Sequence, residues 1–232
     1  MVEADPLSVA LARCPLFAGL DARGLASLAA EMRSRRFRRA EVLFHQGDPG
    51  DALFVVISGA IKISLPSEEG DEAILATLRS GDFFGELALL DGAPRSATAI
   101  ALEPTETLVL PRTRFRDLIA SEPAIRDTLL AALAGELRRL TTHVQELHFL
   151  DITGRLAARL SRLAVSQGVD AGDGTVRLDA PLTQSDLAAM IGTTRQTVNK
   201  LLGIFAEDGL LRLERDAIVV LDREGLARTA RR

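Results

Sequence analysis

The hydrophobic pattern of the chain changes character twice. Over residues 7–36 the apolar positions Leu7, Leu11, Leu16, Leu20, Leu25 and Leu28 recur at helical spacing, interrupted by Pro15 and Gly19. Over 37–110 short apolar runs alternate with turn residues. Gly47-Asp48-Pro49-Gly50-Asp51 reads as a turn and Leu53-Phe54-Val55-Val56-Ile57 as a buried strand. After Ser58-Gly59, the alternating Ala60-Ile61-Lys62-Ile63-Ser64-Leu65 reads as a half-buried strand. Glu68-Glu69-Gly70-Asp71 then turns into Ala73-Ile74-Leu75-Ala76-Thr77-Leu78, followed by Ser80-Gly81-Asp82. Strands recurring at intervals of roughly ten residues predict a small β-barrel or sandwich.

After Pro123 the period becomes helical and stays so to about residue 150. Leu130, Leu133, Leu137, Leu140, Val144 and Leu147 are spaced 3, 4, 3, 4 and 3 apart. That is an a/d seam. A helix lying against its own barrel needs a wider apolar stripe, so the seam points to a homodimer paired along this helix. Asp151 is placed to cap a new helix over 152–165, and 166–174 reads as a Gly/Asp-rich loop. The remaining residues form a compact helical unit with a terminal hairpin. The predicted class is α+β.

Composition narrows the function classes. The chain has 232 residues, 47% hydrophobic and 26% charged, which is ordinary globular usage and excludes a disordered tail or a fibre. With no Trp and no Tyr, the core must rest on Leu, Val, Ile, Ala and Phe. The longest uncharged stretch that reads as buried, 52–61, is far short of the roughly 20 residues a membrane span needs. Glu3 and Asp5 at the start, with no basic-then-apolar run, argue against a secretory signal. A single cysteine, Cys14, cannot form an internal disulfide, hold an iron–sulfur cluster or build a zinc site alone. A cytoplasmic protein with no membrane partner is expected.

The net charge of −4 argues against nucleic acid until the chain is divided. Residues 1–150 hold 16 Lys+Arg against 21 Asp+Glu, whereas 151–232 hold 12 against 11. The excess acid belongs to the first part, which leaves the second free to meet DNA.

That second part carries a helix-turn-helix spacing over 184–202. Ala188 sits where two helices approach, and Gly192 four residues later permits the tight turn. Leu187 and Ile191 line the inner face of the first helix, Val198 and Leu201 that of the second. Thr183-x-x-Asp186 and Thr193-x-x-Gln196 both fit capping boxes. Leu211-Arg212-Leu213 and Ala217-Ile218-Val219-Val220-Leu221 flank Glu214-Arg215-Asp216 as a wing. The candidate DNA contacts are Thr183, Thr194, Arg195, Gln196, Asn199 and Lys200. Arg matches the guanine O6/N7 edge, Gln the adenine N6/N7 edge, and Thr or Lys a phosphate.

A third constellation lies within the barrel, over 81–99. Gly85 lets backbone approach a ligand and opens a short helical turn whose free N–H groups suit phosphate. Arg95 offers a fork matched to phosphate oxygens, Ser96 a hydroxyl, and Glu86 an acceptor pair for ribose. A phosphorylated nucleoside fits these groups; so does a plain surface Arg95–Glu86 ion pair beside a Gly turn.

Together these motifs resemble the cAMP receptor protein/FNR (CRP/FNR) family of bacterial transcription regulators, nearly end to end. The resemblance rests on Gly47-Asp48, on Gly81-Asp82-Phe83-Phe84-Gly85-Glu86-Leu87-Ala88 with Pro94-Arg95-Ser96-Ala97, on Phe149-Leu150-Asp151-Ile152-Thr153-Gly154-Arg155, and on the run from Gly192 through Thr193-Thr194-Arg195-Gln196-Thr197-Val198-Asn199-Lys200. It implies a cyclic-nucleotide-binding, jelly-roll-like β-roll over 1–122, a dimerisation helix over 123–150 and a winged helix-turn-helix over 151–232. It also implies cAMP or cGMP as allosteric ligand, held at Gly85, Glu86, Leu87, Ala88, Arg95, Ser96 and Ala97, with Glu86 on the ribose 2′-hydroxyl. In the cAMP receptor protein a hydroxyl pair on the long helix reads adenine. The matching positions here are Leu140 and Thr141, with Thr142 beside them. Gln196 stands where that protein has Glu, which shifts the expected base preference unless Gln196 serves the Thr193 capping box.

Cys14 alone rules against the iron–sulfur branch, and His45, His143 and His148 sit in polar surroundings unlike haem ligands. No metal, haem or cluster is expected. The basic run Arg33, Arg35, Arg36, Arg38 and Arg39 reads as a solvated strand face; the resemblance offers a second reading, because family activators contact RNA polymerase through the matching surface together with the position of Arg114. No nucleophile elbow, P-loop, dinucleotide fingerprint or metal-spaced His/Glu pair is present, so an enzyme is not expected. The remaining rivals are a same-fold regulator answering another ligand or none, and a nucleotide-sensing subunit that acts through protein contacts alone.

Overall fold

The computed structural model describes residues 6–67, 72–171, 174–179, 183–215 and 217–231. The chain divides into two compact units, Met1–Glu136 and Leu137–Arg232. The predicted turn at 68–71, part of the 166–174 loop and Asp216 of the wing lie outside the described residues.

The first unit opens with α1 (Pro6–Leu11), a short 3-10 turn at Pro15–Phe17, and α2 (Ala22–Glu31). Asp21 caps α2 by accepting from the Gly24 amide at 2.7 Å. The helical reading of 7–36 fails at its end, because Arg33–Phe37 is a strand, β1. Only Phe37 of that strand is buried, so no apolar period reveals it. Next come β2 (Val42–Phe44), β3 (Ala52–Ser58), β4 (Ala60–Pro66), β5 (Glu72–Arg79) and β6 (Phe83–Phe84). A short α3 (Leu87–Asp91) precedes β7 (Thr98–Ala101), β8 (Thr105–Pro111) and α4 (Arg112–Ser121).

The strands form two four-stranded antiparallel sheets, ordered β1-β8-β3-β6 and β2-β7-β4-β5. Strand β3 explains the architecture. Its alternate residues Ala52, Phe54 and Val56 face a core shared with Phe37, Ile61, Phe84, Ala99 and Ala101. Its other residues Leu53 and Val55 face a second core with Leu11, Leu16, Phe17, Leu28, Phe115, Ile125 and Leu129. A strand covered on both faces needs an unbroken apolar run, which is what the sequence shows.

The long helix α5 (Pro123–Phe149) begins where the period predicted. Ile125 and Leu129 are buried in the first unit, and Leu133 packs against the same core. Leu133 is thus partly taken up by its own unit, half-buried where the other seam positions are exposed. The other seam residues, Leu130, Leu137, Leu140, Val144 and Leu147, are 38–67% exposed.

In the second unit, Asp151 caps α6 (Ile152–Gln167), its carboxylate accepting from the Gly154 amide at 2.7 Å. The helix runs two residues beyond the expected end, and the predicted loop contains a strand, β9 (Val169–Asp170). Then follow β10 (Val176–Asp179), α7 (Gln184–Ile191), α8 (Arg195–Glu207), β11 (Leu211–Leu213), β12 (Ala217–Val220) and α9 (Arg223–Thr229). The sheet order is β11-β12-β10-β9, so the predicted hairpin β11–β12 is present and widened by two strands. Helix α9, beyond the hairpin, has no counterpart in the sequence reading.

Candidate functional site

The β-roll constellation is built around Arg95. Its backbone pairs with the Gly47-Asp48 turn: the Gly47 amide donates to the Arg95 carbonyl at 2.9 Å, and the Arg95 amide to the Asp48 carbonyl at 2.8 Å. That pairing aims the side chain inward, where it is 4% exposed. Its Nη1 donates to the Gly85 carbonyl at 2.8 Å and its Nη2 to the Ala52 carbonyl at 2.9 Å. The guanidinium carbon lies 4.3 Å from the Phe44 ring centroid and 5.6 Å from that of Phe54. Asp51 is 4.0 Å away and nearly fully exposed.

This cation is poorly compensated. Burial is the leading cause of a lowered Arg95 pKa, with Arg112 adding to it against Asp51, Glu86 and Asp48. Its Nε is buried without a hydrogen-bond partner. An orphaned donor on a desolvated guanidinium is the chemistry that a phosphate oxygen completes, so the residues fit the ligand class.

Gly85 is required by contact as well as conformation. It sits at φ +85°, and a Cβ there would come within 2.5 Å of Arg95 Nη1. Glu86, half-buried, follows it at the start of α3. Burial is the main cause that raises the Glu86 pKa; Glu136 raises it further, and Arg95 opposes. Ala88 and Ala97 are buried, while Leu87 and Ser96 are exposed. Gly85, Glu86 and Arg95 are thus brought together, but not as the plain surface ion pair left open above, because Arg95 is inside.

Leu140, Thr141 and Thr142 belong to the second unit. Both threonine hydroxyls donate to carbonyls of their own helix, Thr141 to Leu137 at 2.9 Å and Thr142 to Arg138 at 3.1 Å. The sequence reading missed Phe44 and Phe54. Aromatic side chains ahead of a Gly-Asp turn were visible, but their place under Arg95 depends on strand register.

The second constellation is a helix-turn-helix. Thr183 and Asp186 form the predicted capping box on α7, with the Thr183 hydroxyl donating to Asp186 Oδ2 at 2.7 Å. Gly192 ends α7 at φ +69°, where a left-handed residue lets the chain turn sharply. The start of α8 differs from expectation. Thr194, not Thr193, is the cap, accepting from the Thr197 amide at 3.2 Å. Gln196 is therefore not used in a capping box with Thr193. The inner face of α8 is Val198, Leu202 and Phe205; Leu201 is only half-buried.

The outward face of α8 presents Thr194, Arg195, Gln196, Asn199 and Lys200, all exposed. Among the described residues, the side chains of Arg195, Gln196 and Lys200 make no hydrogen bond or ion pair. The Asn199 amide donates to Gln184 Oε1 at 2.9 Å and ties the two helices together. Cationic and amide side chains at the first turns of the second helix match what major-groove docking needs.

Among the described residues, no group of three or more His, Cys, Asp or Glu side chains gathers to hold a metal ion. No helix there is long and apolar enough to cross a membrane. Cys14 is buried in the first core, and burial is the main cause that pushes its pKa up to about 11.

Known proteins agree with both constellations. Residues 34–122 match the cyclic nucleotide-binding domain family and residues 154–229 the Crp-like helix-turn-helix domain family. The chain is 37% identical, over 95% of its length and 98% of the relative's, to a CRP-like cAMP-activated global transcriptional regulator of Mycobacterium tuberculosis. It is 36% identical, over 86% of its length and 88% of the relative's, to the cyclic AMP receptor protein of Thermus thermophilus. The structure of FixK2 from Bradyrhizobium japonicum shares the fold, with a TM-score of 0.77 at 23% identity, over 85% of this chain and 96% of that one. With a cyclic nucleotide-binding domain and a Crp-like helix-turn-helix domain matched in one chain, and a relative named as a transcriptional regulator rather than an enzyme, the chain belongs to the CRP/FNR family of transcription regulators.

Proposed function

We propose that the protein is a homodimeric regulator in which cAMP, held in the β-roll, favours binding of two helix-turn-helix units to a palindromic DNA site. The observation that carries this reading is Arg95, a buried guanidinium with an orphaned Nε beside Gly85 and Glu86. Arg95, Ser96, Ala97, Gly85, Leu87 and Ala88 surround the phosphate, and the Glu86 carboxylate accepts from the ribose 2′-hydroxyl. Thr141 and Thr142 supply the hydroxyls that meet the base, next to Leu140. The names of the two relatives, one a cAMP-activated regulator and the other a cyclic AMP receptor protein, support the choice of purine.

The exposed row Leu130, Leu137, Leu140, Val144 and Leu147 supports a dimer paired along α5, since apolar side chains at a/d spacing on one helix face mark a surface that pairs with another helix. In that dimer the ligand acts only by its differential affinity for the DNA-competent arrangement. Two copies of α8 enter successive major grooves about 34 Å apart on one face of the duplex. Thr194, Arg195, Gln196, Asn199 and Lys200 make the contacts, with Thr183 at the mouth of α7. The polymerase contact belongs to the same proposal. It falls on β1, whose Arg33, Arg35 and Arg36 are exposed together with Arg38 and Arg39 beyond it. The protein would act in the cytoplasm, where its DNA is.

One observation favours a second reading. Leu140 occupies the position of a purine-reading hydroxyl, so a regulator answering cGMP or another ligand remains the rival. Calorimetric titration with cAMP and cGMP separately decides between them. Saturable binding of cAMP, with cGMP much weaker, is the expected result. The converse preference moves the reading to cGMP, and no binding of either overturns the cyclic-nucleotide assignment.

A further inference from the structure

Arg95 lies between two short segments that cannot fix their own spacing. One is the turn over 47–51, which pairs with the Arg95 backbone through Gly47 and Asp48. The other runs from Gly85 into α3, a helix of five residues, too short to hold its place without outside contacts. The two segments approach closely. A Cβ on the buried Gly50 would lie 2.4 Å from the Ala88 Cβ and 3.3 Å from both Cζ and Nε of Arg95. The orphaned Nε of Arg95 is therefore at the junction of the two.

A second arginine, outside every motif named above, closes that junction. Arg112 is the first residue of α4 and is half-buried. Its backbone amide donates to the Asp51 carbonyl at 2.7 Å, beside the Ala52–Pro111 pair that ends the β3–β8 ladder. Its side chain then spans the two segments: Nη2 donates to the Gly50 carbonyl and, at 3.0 Å, to the Ala88 carbonyl. One nitrogen thus serves both segments. The far side of α3 is secured separately, by Leu89 in the core it shares with Phe115 of α4. The charge of Arg112 works against that of Arg95, so its place there is not explained by attraction between the two side chains.

We infer that Arg112 is a positioning residue for the nucleotide phosphate: it ties the Gly50 and Ala88 carbonyls together so that the donors around Arg95 converge on one point. The inference rests on the cyclic-nucleotide reading proposed above. Arg112 acts through the two backbone segments rather than as a charge on the ligand. Without it two carbonyls in a buried setting lose their shared donor, and the segments part to let water reach them.

The test is calorimetric titration of the full-length protein with cAMP and with the two phosphorothioate diastereomers of cAMP. In each diastereomer sulfur, a weaker acceptor, replaces a different exocyclic oxygen, so donors held at fixed points distinguish the two. Arg112→Met, an unbranched side chain with no donor, is expected to weaken cAMP at least about tenfold and to bring the affinities of the diastereomers together. Arg112→Gln, whose shorter neutral amide does not span both carbonyls, is expected to repeat that loss, and it keeps the test decisive where methionine disturbs folding. Arg112→Lys keeps several donors on one nitrogen, and is expected to return cAMP affinity to within about threefold of wild type and to restore the discrimination. A wild type that binds cAMP, with Arg112→Met and Arg112→Gln proteins that bind it equally well, overturns this inference alone. So does a loss that leaves the diastereomer ratio unchanged and that lysine does not recover, which is general destabilisation. A wild type that does not bind cAMP overturns the proposed function and this inference with it.

Discussion

The guanidinium of Arg95 stacks on the ring of Phe44, 4.3 Å from guanidinium carbon to ring centroid, while its two terminal nitrogens are held by the Gly85 and Ala52 carbonyls. Phe44 also neighbours Phe54 and Phe84, at centroid distances of 5.7 and 6.0 Å, so the cation rests on two rings, Phe44 and Phe54, of a three-ring cluster. A cation over a ring face in a desolvated setting is worth about 0.5–2 kcal/mol, and a hydrogen bond to a charged group about 1.5–3 kcal/mol. Arg95→Ala is expected to lower cyclic-nucleotide affinity by at least about 100-fold with the helical dimer intact. Phe44→Leu, which keeps the apolar contact and loses the π face, is expected to cost about 3- to 30-fold, and Phe44→Tyr little. Calorimetry measures all three; unchanged binding in Arg95→Ala removes the pocket assignment.

Glu86 sets stability against binding. Its folded pKa is raised above the ordinary 4.5, chiefly by burial, so the fold favours the protonated form. The stability this confers is complete below the ordinary carboxylate pKa and is lost as pH rises through the raised value. Above that raised value the ligand-free protein carries an unfavourable buried charge. Glu86→Gln should be more stable than wild type at pH 7, and the gap should close towards pH 4. The same substitution removes a charged acceptor from the ribose and should weaken cAMP about tenfold or more. Thermal melts from pH 4 to 8 check the first statement; a variant no more stable than wild type at pH 7 contradicts it.

How much of this was legible in the sequence follows from which forces act locally. The long helix, the Asp151 cap, the Thr183–Asp186 box and the strands over Leu53 and Ile61 were readable because spacing and caps are local. Strand β1 was not, because four of its five residues are exposed and its existence depends on pairing with β8. The Thr193 cap was off by one residue because two adjacent threonines are chemically equal; the left-handed turn at Gly192 decides for Thr194. The motif over 81–97 pointed to phosphate chemistry through residue types. That Arg95 is inward, with an orphaned Nε over Phe44, is a matter of tertiary register. The packing of Leu133 on its own core was hidden for the same kind of reason. A heptad pattern cannot say where a helix stops packing on its own unit.

The exposed row on α5 gives a direct test of assembly. Leu137 is 67% and Val144 53% exposed, so neither supports the fold of its own unit. Covering each such side chain contributes about 1.5–3 kcal/mol, and in a two-fold dimer each counts twice. Leu137→Glu and Val144→Glu also set like charges against each other across the axis. Each is expected to raise the dimer dissociation constant by at least about 100-fold with the melting temperature of the unit little changed. Leu133→Ala should do the reverse, costing fold stability by about 2 kcal/mol while leaving association largely intact. Sedimentation equilibrium separates the two patterns, and a Leu137→Glu protein that sediments as wild type argues against pairing along this row.

Gln196 governs the last prediction. Its side chain is exposed at the first turn of α8, and the cap of that helix is made by Thr194 and Thr197 without it. An amide both donates and accepts and fits adenine N6/N7, whereas a carboxylate at the same place only accepts and fits cytosine N4. Wild-type protein should select adenine, or show a relaxed choice, at one position in each half-site. Gln196→Glu should move that position towards cytosine by about 1–3 kcal/mol of discrimination, with the other positions unchanged. Arg195→Ala should reduce specificity at a neighbouring guanine by a similar amount. Lys200→Ala, by contrast, should weaken all sequences alike and flatten the salt dependence by about one unit. Binding-site selection from a randomised duplex, run with the wild type and the three variants, reads each of these outcomes. Identical half-site preferences in wild type and Gln196→Glu would show that this side chain does not read a base.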